Sequence, residues 1–196
     1  MLSLRSWLRR STRRTGCSSP SRPPFRPTVK LLEARDLLSG LPPAAPHVLR
    51  VRQGDPHAQY QTIQAAVNAA QPGDTVEIYS GTYAEAVSVT TPDLTLTAAP
   101  GADVVIQNPG GRSNGVTVEG PGGTPLAGFT LADVTVRGFA HNGVFLRGVN
   151  GFTLSDVTAR DNGDYGLFPV LSAHGLITGC TATGSNDTRH LCRPVH

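Results

Sequence analysis

The 196-residue chain is poor in several residue types, and these shortages limit the kinds of site and segment that it can contain. Lys30 is the single lysine, and aromatic residues make up 6% of the chain, which leaves few rings for stacking on a ligand. Residues 1–40 contain no apolar run of the length that a membrane span or an ordinary secretory signal requires. The three cysteines include no pair at metal-binding spacing, and Cys180 falls at an inward strand position where it is predicted to pack as a small apolar residue.

Positive charge is concentrated in the N-terminal part of the chain. Residues 1–52 hold eleven Lys and Arg against two acidic residues, a balance of +9, whereas residues 53–196 hold six Arg against twelve acidic residues, a balance of −6. The excess of positive charge therefore lies in residues 1–52. An acidic folded part lacks the clustered cations that phosphate backbones require, which argues against a nucleic acid partner.

Residues 1–45 form a basic leader, rich in Arg and Pro, that is predicted to be disordered. Within it, LLEARDLLSG (31–40) resembles the LEPR-type segment Leu-Glu-x-Arg-x-Leu-Leu-Ser, which heads many exported or surface proteins in some bacteria. Ala34 stands in place of the proline of that pattern. The resemblance implies a secreted or cell-surface location, and the alternative is a short disordered tail without a targeting role.

One short helix and a series of short strands are predicted after residue 53. In YQTIQAAVNAAQPGDTVEI, Thr62 has the character of an N-cap, and apolar residues recur at helical spacing until Pro72-Gly73. This pattern predicts a helix over 62–71. Short alternating segments bounded by turn residues predict strands at 75–80, 86–90, 94–98, 104–107 and 115–120.

A 23-residue repeat distinguishes between the folds that short strands can build. GFTLADVTVRGFAHNGVFLR (128–147) aligns with GFTLSDVTARDNGDYGLFPV (151–170) and with HGLITGCTATGSNDT (174–188). A sandwich has no reason to keep a fixed period, whereas a solenoid must, because each coil buries its apolar stripe against the next. At about 3.3 Å per strand residue, one period is long enough for a circuit of three short strands.

The opening YQTIQAAVNAAQPGDTVEIYSGTYAEAVSV, followed by LTLTAAPGADVVIQ, resembles the right-handed parallel β-helix superfamily, which includes pectate-lyase-like and NosD-like proteins. The resemblance covers about 53–188. It implies an all-β fold, a right-handed parallel β-helix (solenoid) of about five coils, with the 62–71 helix capping its N-terminal end. One fold hosts many functions, so activity has to be argued from a site.

Outward-facing polar residues form the first candidate site. If the valines of DVTVR (133–137) face the core, strand alternation places its Asp, Thr and Arg outside, and DVTAR (156–160) repeats the row one period later. Such a grid can bind sugar hydroxyls and uronate carboxylates. The alternative is a solvated face on which each Asp offsets an Arg. The predicted substrate-binding residues are Asp133, Arg137, Asp156, Arg160 and, on a neighbouring turn, His141.

Asp164 and Asp187 form the second candidate site, because they stand 23 residues apart in turns rich in Asn, Asp and Gly. Stacked carboxylates at this step can bind Ca²⁺ or serve as a paired acid and base. The alternative is turn chemistry, since tight corners favour the same residue types. No other cofactor is predicted, because copper delivery of the NosD type would need Met, Cys or clustered His ligands that the chain does not supply.

Catalytic residues stay unassigned. A uronate lyase uses a Ca²⁺ cluster with an Arg or Lys base on one face. The predicted domain has no Lys, which leaves Arg137, Arg147 or Arg160 as the base, and most of the pattern is absent. Asp55-Pro56-His57 is similar to the Asp-Pro-His core of alginate epimerases, but Ala58 follows instead of Glu, and the segment precedes the helix. It is interpreted as a coincidence. An activity, if present, would be of the polysaccharide lyase, hydrolase or epimerase type, but the sequence favours a protein without catalysis.

Two functions of different class remain open. The first is an exported β-helix that binds or acts on an extracellular polysaccharide or a cell-surface glycan. The second is a passive structural or adhesive solenoid on the cell surface. Binding to a glycan array separates the two.

Residues 189–196 depart from the repeat. The 23-residue step requires Gly at position 189, as at Gly143 and Gly166, but the chain has Arg189. One permitted coding of RHLCRPVH, read one base later, gives Gly-Ile-Tyr-Val-Gly-Gln-Ser, which restores the pattern. We hypothesise that a frame change near codon 188 truncated a longer β-helix, and a natural irregular C-terminal end is the alternative. Sequencing the gene and its downstream bases tests this hypothesis.

Overall fold

The computed structural model describes residues 45–186. The predictions for the leader, for Asp187 and for the tail at 189–196 lie outside these residues. No helix in the described part is both long and apolar enough to cross a membrane.

The described part of the chain is all-β with one α-helix. The helix α1 spans Ile63–Ala69, and Pro121–Gly123 forms a short 3₁₀ turn. The strands are β1 (Val48–Val51), β2 (Thr75–Ile78), β3 (Gly81–Ala84), β4 (Val87–Val89), β5 (Leu94–Ala98), β6 (Val104–Gln107), β7 (Asn114–Glu119), β8 (Leu126–Ala132), β9 (Thr135–Arg137), β10 (Asn142–Arg147), β11 (Val149–Ser155), β12 (Thr158–Arg160), β13 (Tyr165–Val170), β14 (Leu176–Thr178) and β15 (Thr181–Thr183).

The strands form three parallel sheets that the chain visits in rotation. The six-stranded sheet has the order β1-β2-β5-β8-β11-β14, the five-stranded sheet β15-β12-β9-β6-β3, and the four-stranded sheet β13-β10-β7-β4. From β2 onward each strand pairs with the strand three elements later, as β2 does with β5 and β3 with β6. This stacking of parallel sheets confirms the all-β prediction and is compatible with a parallel β-helix.

Strand alternation builds the core. In β5, Leu94, Leu96 and Ala98 are buried, while the two threonines between them are half-exposed. Leu96 belongs to an inward row of the six-stranded sheet whose members are at most 5% exposed: Leu49, Val76, Leu96, Leu131 and Leu154. Full burial of each such side chain contributes about 1.5–3 kcal/mol, so the stacked rows are the main source of stability.

Helix α1 is shorter at both ends than the predicted 62–71. Thr62 is its N-cap and accepts a hydrogen bond from Ala65 N, while Ala70 already has extended backbone angles. The Glu85 carboxylate also accepts hydrogen bonds from the first helical N–H groups, those of Ile63 at 2.8 Å and Gln64 at 2.9 Å. The apolar face of the helix packs against β1, β2 and β4.

Three further observations concern the sequence predictions. Strand β1 precedes the expected start of the domain at residue 53 and extends the six-stranded sheet by pairing with β2. Cys180 is half-buried against the core, and its Sγ donates to the Leu154 carbonyl at 3.4 Å. The strand register reproduces the 23-residue step, as in the pairing of Thr130 with Thr153.

Candidate functional site

The two predicted arginines lie side by side on the five-stranded sheet. Arg137 on β9 is in register with Arg160 on β12, and both side chains are half-exposed. Val136, which precedes Arg137 on β9, is buried. Arg137 Nη2 donates to Gln107 Oε1 at 2.7 Å. The ion pairs found within residues 45–186 involve neither arginine.

The two predicted aspartates occupy bends rather than strands. Asp133 and Asp156 are exposed and have left-handed backbone angles, with φ of 58° and 53°. They precede β9 and β12, so the bend and not strand alternation sets the direction of their side chains. The aspartates and arginines therefore form two separate rows at opposite ends of these short strands, and no ion pair joins the rows within residues 45–186.

His141 and Asp164 are brought together. His141 Nδ1 lies 2.5 Å from Asp164 Oδ2, and the two side chains are 57% and 47% exposed. The backbone holds them in this arrangement, because Asp164 N and Tyr165 N both donate to the His141 carbonyl, at 2.7 and 3.2 Å. A hydrogen bond from a protonated imidazole to a carboxylate is charge-assisted.

A buried asparagine fixes the turns that carry this pair. Asn162 is 2% exposed, its Oδ1 accepts from Phe139 N at 3.1 Å, and its Nδ2 donates to the Val136 carbonyl at 3.3 Å. Gly163 N donates to the Phe139 carbonyl at 2.8 Å. The turn that precedes Asp164 is thus bonded to the turn that precedes His141, which restrains both side chains at the corner between two sheets.

Three aromatic rings lie on β10 and β13, the two strands that follow His141 and Asp164 in the chain. Tyr165 and Phe168 are stacked, with ring centroids 4.4 Å apart and an interplanar angle of 9°. Phe145 lies beside them, 5.9 Å from Phe168 and tilted by 31°. All three rings are half-exposed. We refer to His141, Phe145, Asp164, Tyr165 and Phe168 as the corner patch.

The corner patch combines an apolar platform with hydrogen-bonding groups. Exposed aromatic rings offer flat apolar faces, against which a partner with an apolar face can pack. The imidazole and the carboxylate at one edge can donate to and accept from hydroxyl groups. A ligand that has both apolar C–H faces and hydroxyl groups, such as a sugar, can contact the rings and the hydrogen-bonding groups together.

Sequence reasoning singled out His141 and Asp164 separately but missed the rings. The available signal was the 23-residue step, which joins His141 to Asp164 and Phe145 to Phe168. Aromatic residues are few in the sequence, so composition alone does not indicate an aromatic surface. The fold brings Phe145 and Phe168 together because they occupy the same outward row, and the Tyr165 ring joins them by stacking on Phe168.

The metal prediction is partly outside the described residues, because Asp187 is not among them. Asp164 is bonded to His141 and to no second carboxylate in the described part. Within residues 45–186, no group of three or more His, Cys, Asp or Glu side chains is arranged to hold a metal ion. The Ca²⁺ site stays a prediction.

Comparison with protein-family models, with curated proteins and with solved structures gives no match for this chain. The resemblance to the parallel β-helix superfamily therefore depends on the sequence motifs and on the parallel stacking of the sheets.

Proposed function

We propose that this chain is an exported right-handed parallel β-helix of about five coils that binds a polysaccharide through the corner patch. The rotation of the chain through three parallel sheets supports this fold, as does helix α1, which packs against the first strands. The LEPR-type segment supports a secreted or cell-surface location. The polysaccharide or cell-surface glycan is the partner that such a location supplies.

The observation that carries the proposal is the stack of Tyr165 on Phe168 beside the His141 and Asp164 pair. A contiguous group of exposed apolar side chains marks an interaction site more often than apolar side chains that are scattered singly over the surface. A sugar ring can lay its C–H face on the stack while its hydroxyls bond to the imidazole and the carboxylate. Restraint of the turns by Asn162 lowers the entropy that binding would otherwise cost.

We assign binding rather than catalysis to the patch. Hydrolysis of a glycosidic bond uses two carboxylates that flank the bond. The corner patch holds one carboxylate, that of Asp164, and this carboxylate contacts the His141 ring. Arg137 and Arg160, on the neighbouring sheet, add positive charge that favours an acidic glycan.

A glycan array tests the proposal. The full chain is expected to bind one class of polysaccharide, and the Phe145→Ala/Phe168→Ala variant is expected to lose that binding. Thr117→Ala is the matched control, because Thr117 occupies the same outward row on the adjacent strand β7. If the full chain binds no glycan, the proposal fails and the alternative of a passive structural or adhesive solenoid stands.

A further inference from the structure

A second site lies away from the corner patch, where the start of the six-stranded sheet meets the segment that follows β1. A cleft of about 270 Å³ opens there, lined by Arg50, Arg52, Asp55, His57, Gln59 and Tyr79. Its volume is close to the lower end of the range for small-molecule sites, about 300–1,000 Å³. The site shares no residue with the corner patch, so it is independent of the proposed function.

Both arginines are held by their neighbours. Arg50 Nε donates to Glu77 Oε2 at 3.2 Å. The Arg52 guanidinium carbon lies 4.5 Å from the centroid of the Tyr79 ring, within the range of a cation–π contact. Each of the two side chains therefore has a neighbour that restrains it.

Tyr79 is itself fixed to the sheet. Its N–H donates to the Val51 carbonyl at 2.9 Å. The hydroxyl of the buried Tyr83 donates to the Tyr79 carbonyl at 2.8 Å and lies 3.3 Å from the Val51 carbonyl oxygen. Burial raises the pKa of Tyr83, so this hydroxyl stays protonated as a donor. The wall of the cleft is therefore anchored in the core.

The arginines keep unused donors. Within residues 45–186, Arg50 uses only Nε of its guanidinium, and Arg52 makes one loose ion pair, 3.6 Å from Asp55 Oδ2, without a side-chain hydrogen bond. Their side chains are 63% and 53% exposed. A guanidinium has five N–H donors, so several remain for a ligand on each arginine. The Glu77 and Asp55 carboxylates balance the two guanidinium charges, so a ligand would be held by the unused N–H donors and not by an excess of positive charge.

We propose that this cleft binds the phosphate or sulfate ester group of a small hydroxylated ligand. Arg50 and Arg52 are two residues apart, so their backbones are about 6.6 Å apart and their donors approach a shared ligand from two directions. A tetrahedral ester has three terminal oxygens and can accept from both groups together. A carboxylate has two coplanar oxygens, which one guanidinium already satisfies. The His57 ring lines the same cleft and, in the described part, has no hydrogen-bond partner for its nitrogens.

Isothermal titration calorimetry on the full chain tests the site with glycerol phosphate, glycerol and glycerate. Glycerol phosphate is expected to bind, glycerol is not, and glycerate should bind at least about tenfold more weakly. The Arg50→Gln/Arg52→Gln variant should lose at least about tenfold in affinity for glycerol phosphate. Arg147→Gln is the matched control, because Arg147 is an exposed arginine paired with Glu119 on another sheet, 3.9 Å away.

A second pair of variants tests the role of the anchored ring. Tyr79→Phe keeps the ring under Arg52 and should bind glycerol phosphate as the original chain does, whereas Tyr79→Leu removes the ring and should weaken binding. An unchanged melting temperature shows that each variant folds. The proposal is overturned if glycerol phosphate does not bind, if the double arginine variant binds it equally well, or if glycerate binds as tightly. Sulfate ester and phosphate ester probes of the same alcohol then distinguish the two sources of the anion.

Discussion

His141 Nδ1 lies 2.5 Å from Asp164 Oδ2, and the two residues are separated by 23 positions in the chain. The same step joins Phe139 N to the Asn162 side chain and places Phe145 beside Phe168. The corner patch is therefore assembled from two successive repeats, and neither repeat alone contains it. Changes that disturb the stacking of these repeats should affect the patch before they affect the rest of the fold.

The His141 and Asp164 pair should matter for binding and little for stability. Replacing Asp164 by Asn is expected to change the free energy of unfolding by less than about 1 kcal/mol, because exposed ion pairs contribute little. Affinity for the glycan selected on the array should fall by about fivefold, since a charge-assisted acceptor is lost. Calorimetric titration and thermal unfolding measure both quantities. Asp103→Asn, at another exposed carboxylate, is the control and should change neither.

The arginine row should determine any preference for acidic glycans. The Arg137→Gln/Arg160→Gln variant is expected to weaken binding of uronate-containing oligosaccharides to the level of neutral ones and to leave binding of neutral ones unchanged. Its melting temperature should stay close to that of the original chain, because substitutions at half-exposed charges of this kind have small effects on stability. Equal binding of uronate oligosaccharides by the variant would remove these arginines from the site.

Gly143 should tolerate no side chain. A Cβ at this position would lie 2.6 Å from the Gly166 carbonyl oxygen, a backbone atom that cannot move freely. Gly143→Ala is therefore expected to lower the free energy of unfolding by about 1–3 kcal/mol, as overpacking of a filled interior does. Gly81→Ala is the matched control, since its Cβ would meet its closest neighbour at an ordinary 3.4 Å. Urea unfolding of both variants gives the comparison, and equal losses would contradict the account of tight stacking.

Asp74 should give the fold a dependence on acidic pH. It is 4% exposed, and its carboxylate accepts from His47 N and Gln71 N, each at 2.8 Å. Burial by itself raises the pKa of Asp74, but these N–H donors and the nearby His47 ring outweigh burial and leave the pKa below its usual value. The stabilisation is present above the pKa of the unfolded chain and is lost as pH falls through the lower pKa of the folded chain.

The measurement is unfolding by urea across the acidic range. The original chain should lose stability as pH falls below about 4, where carboxylates of unfolded chains begin to protonate. Asp74→Asn should be less stable by about 1–3 kcal/mol near neutral pH, because hydrogen bonds to a charged group are lost, and should depend less on pH. Asp103→Asn should keep the pH dependence of the original chain. An Asp74→Asn variant with an unaltered pH profile would show that another group controls it.

Much of the fold could be predicted because period and alternation are local properties. The strands predicted at 94–98 and 104–107 have those bounds in the structure. Strand β1 was missed because VLRV directly follows a Pro-rich leader and belongs to no complete repeat. The alternation in DVTVR predicts Asp133 as part of a continuous strand, but the left-handed backbone of Asp133 ends the alternation there. A sequence pattern read at fixed alternation does not show where the chain bends.

The site could be predicted only in part. His141 and Asp164 are both candidates in the sequence, but their partnership follows from the stacking of one repeat on the next, and an alignment by residue type does not pair a histidine with an aspartate. The cleft at Arg50 and Arg52 depends on how the segment after β1 folds back beside Tyr79. That arrangement follows from tertiary contacts and has no counterpart in the repeat.

The most direct test of the central claim is chemical-shift mapping of the full chain, titrated with the glycan selected on the array. Backbone signals of all five corner-patch residues, and the ring signals of His141, Phe145, Tyr165 and Phe168, should shift together and saturate at one affinity. Signals of Thr95 and Thr130, on the outer face of the six-stranded sheet, should stay in place. Shifts confined to the six-stranded sheet, with the corner patch unchanged, would contradict the account.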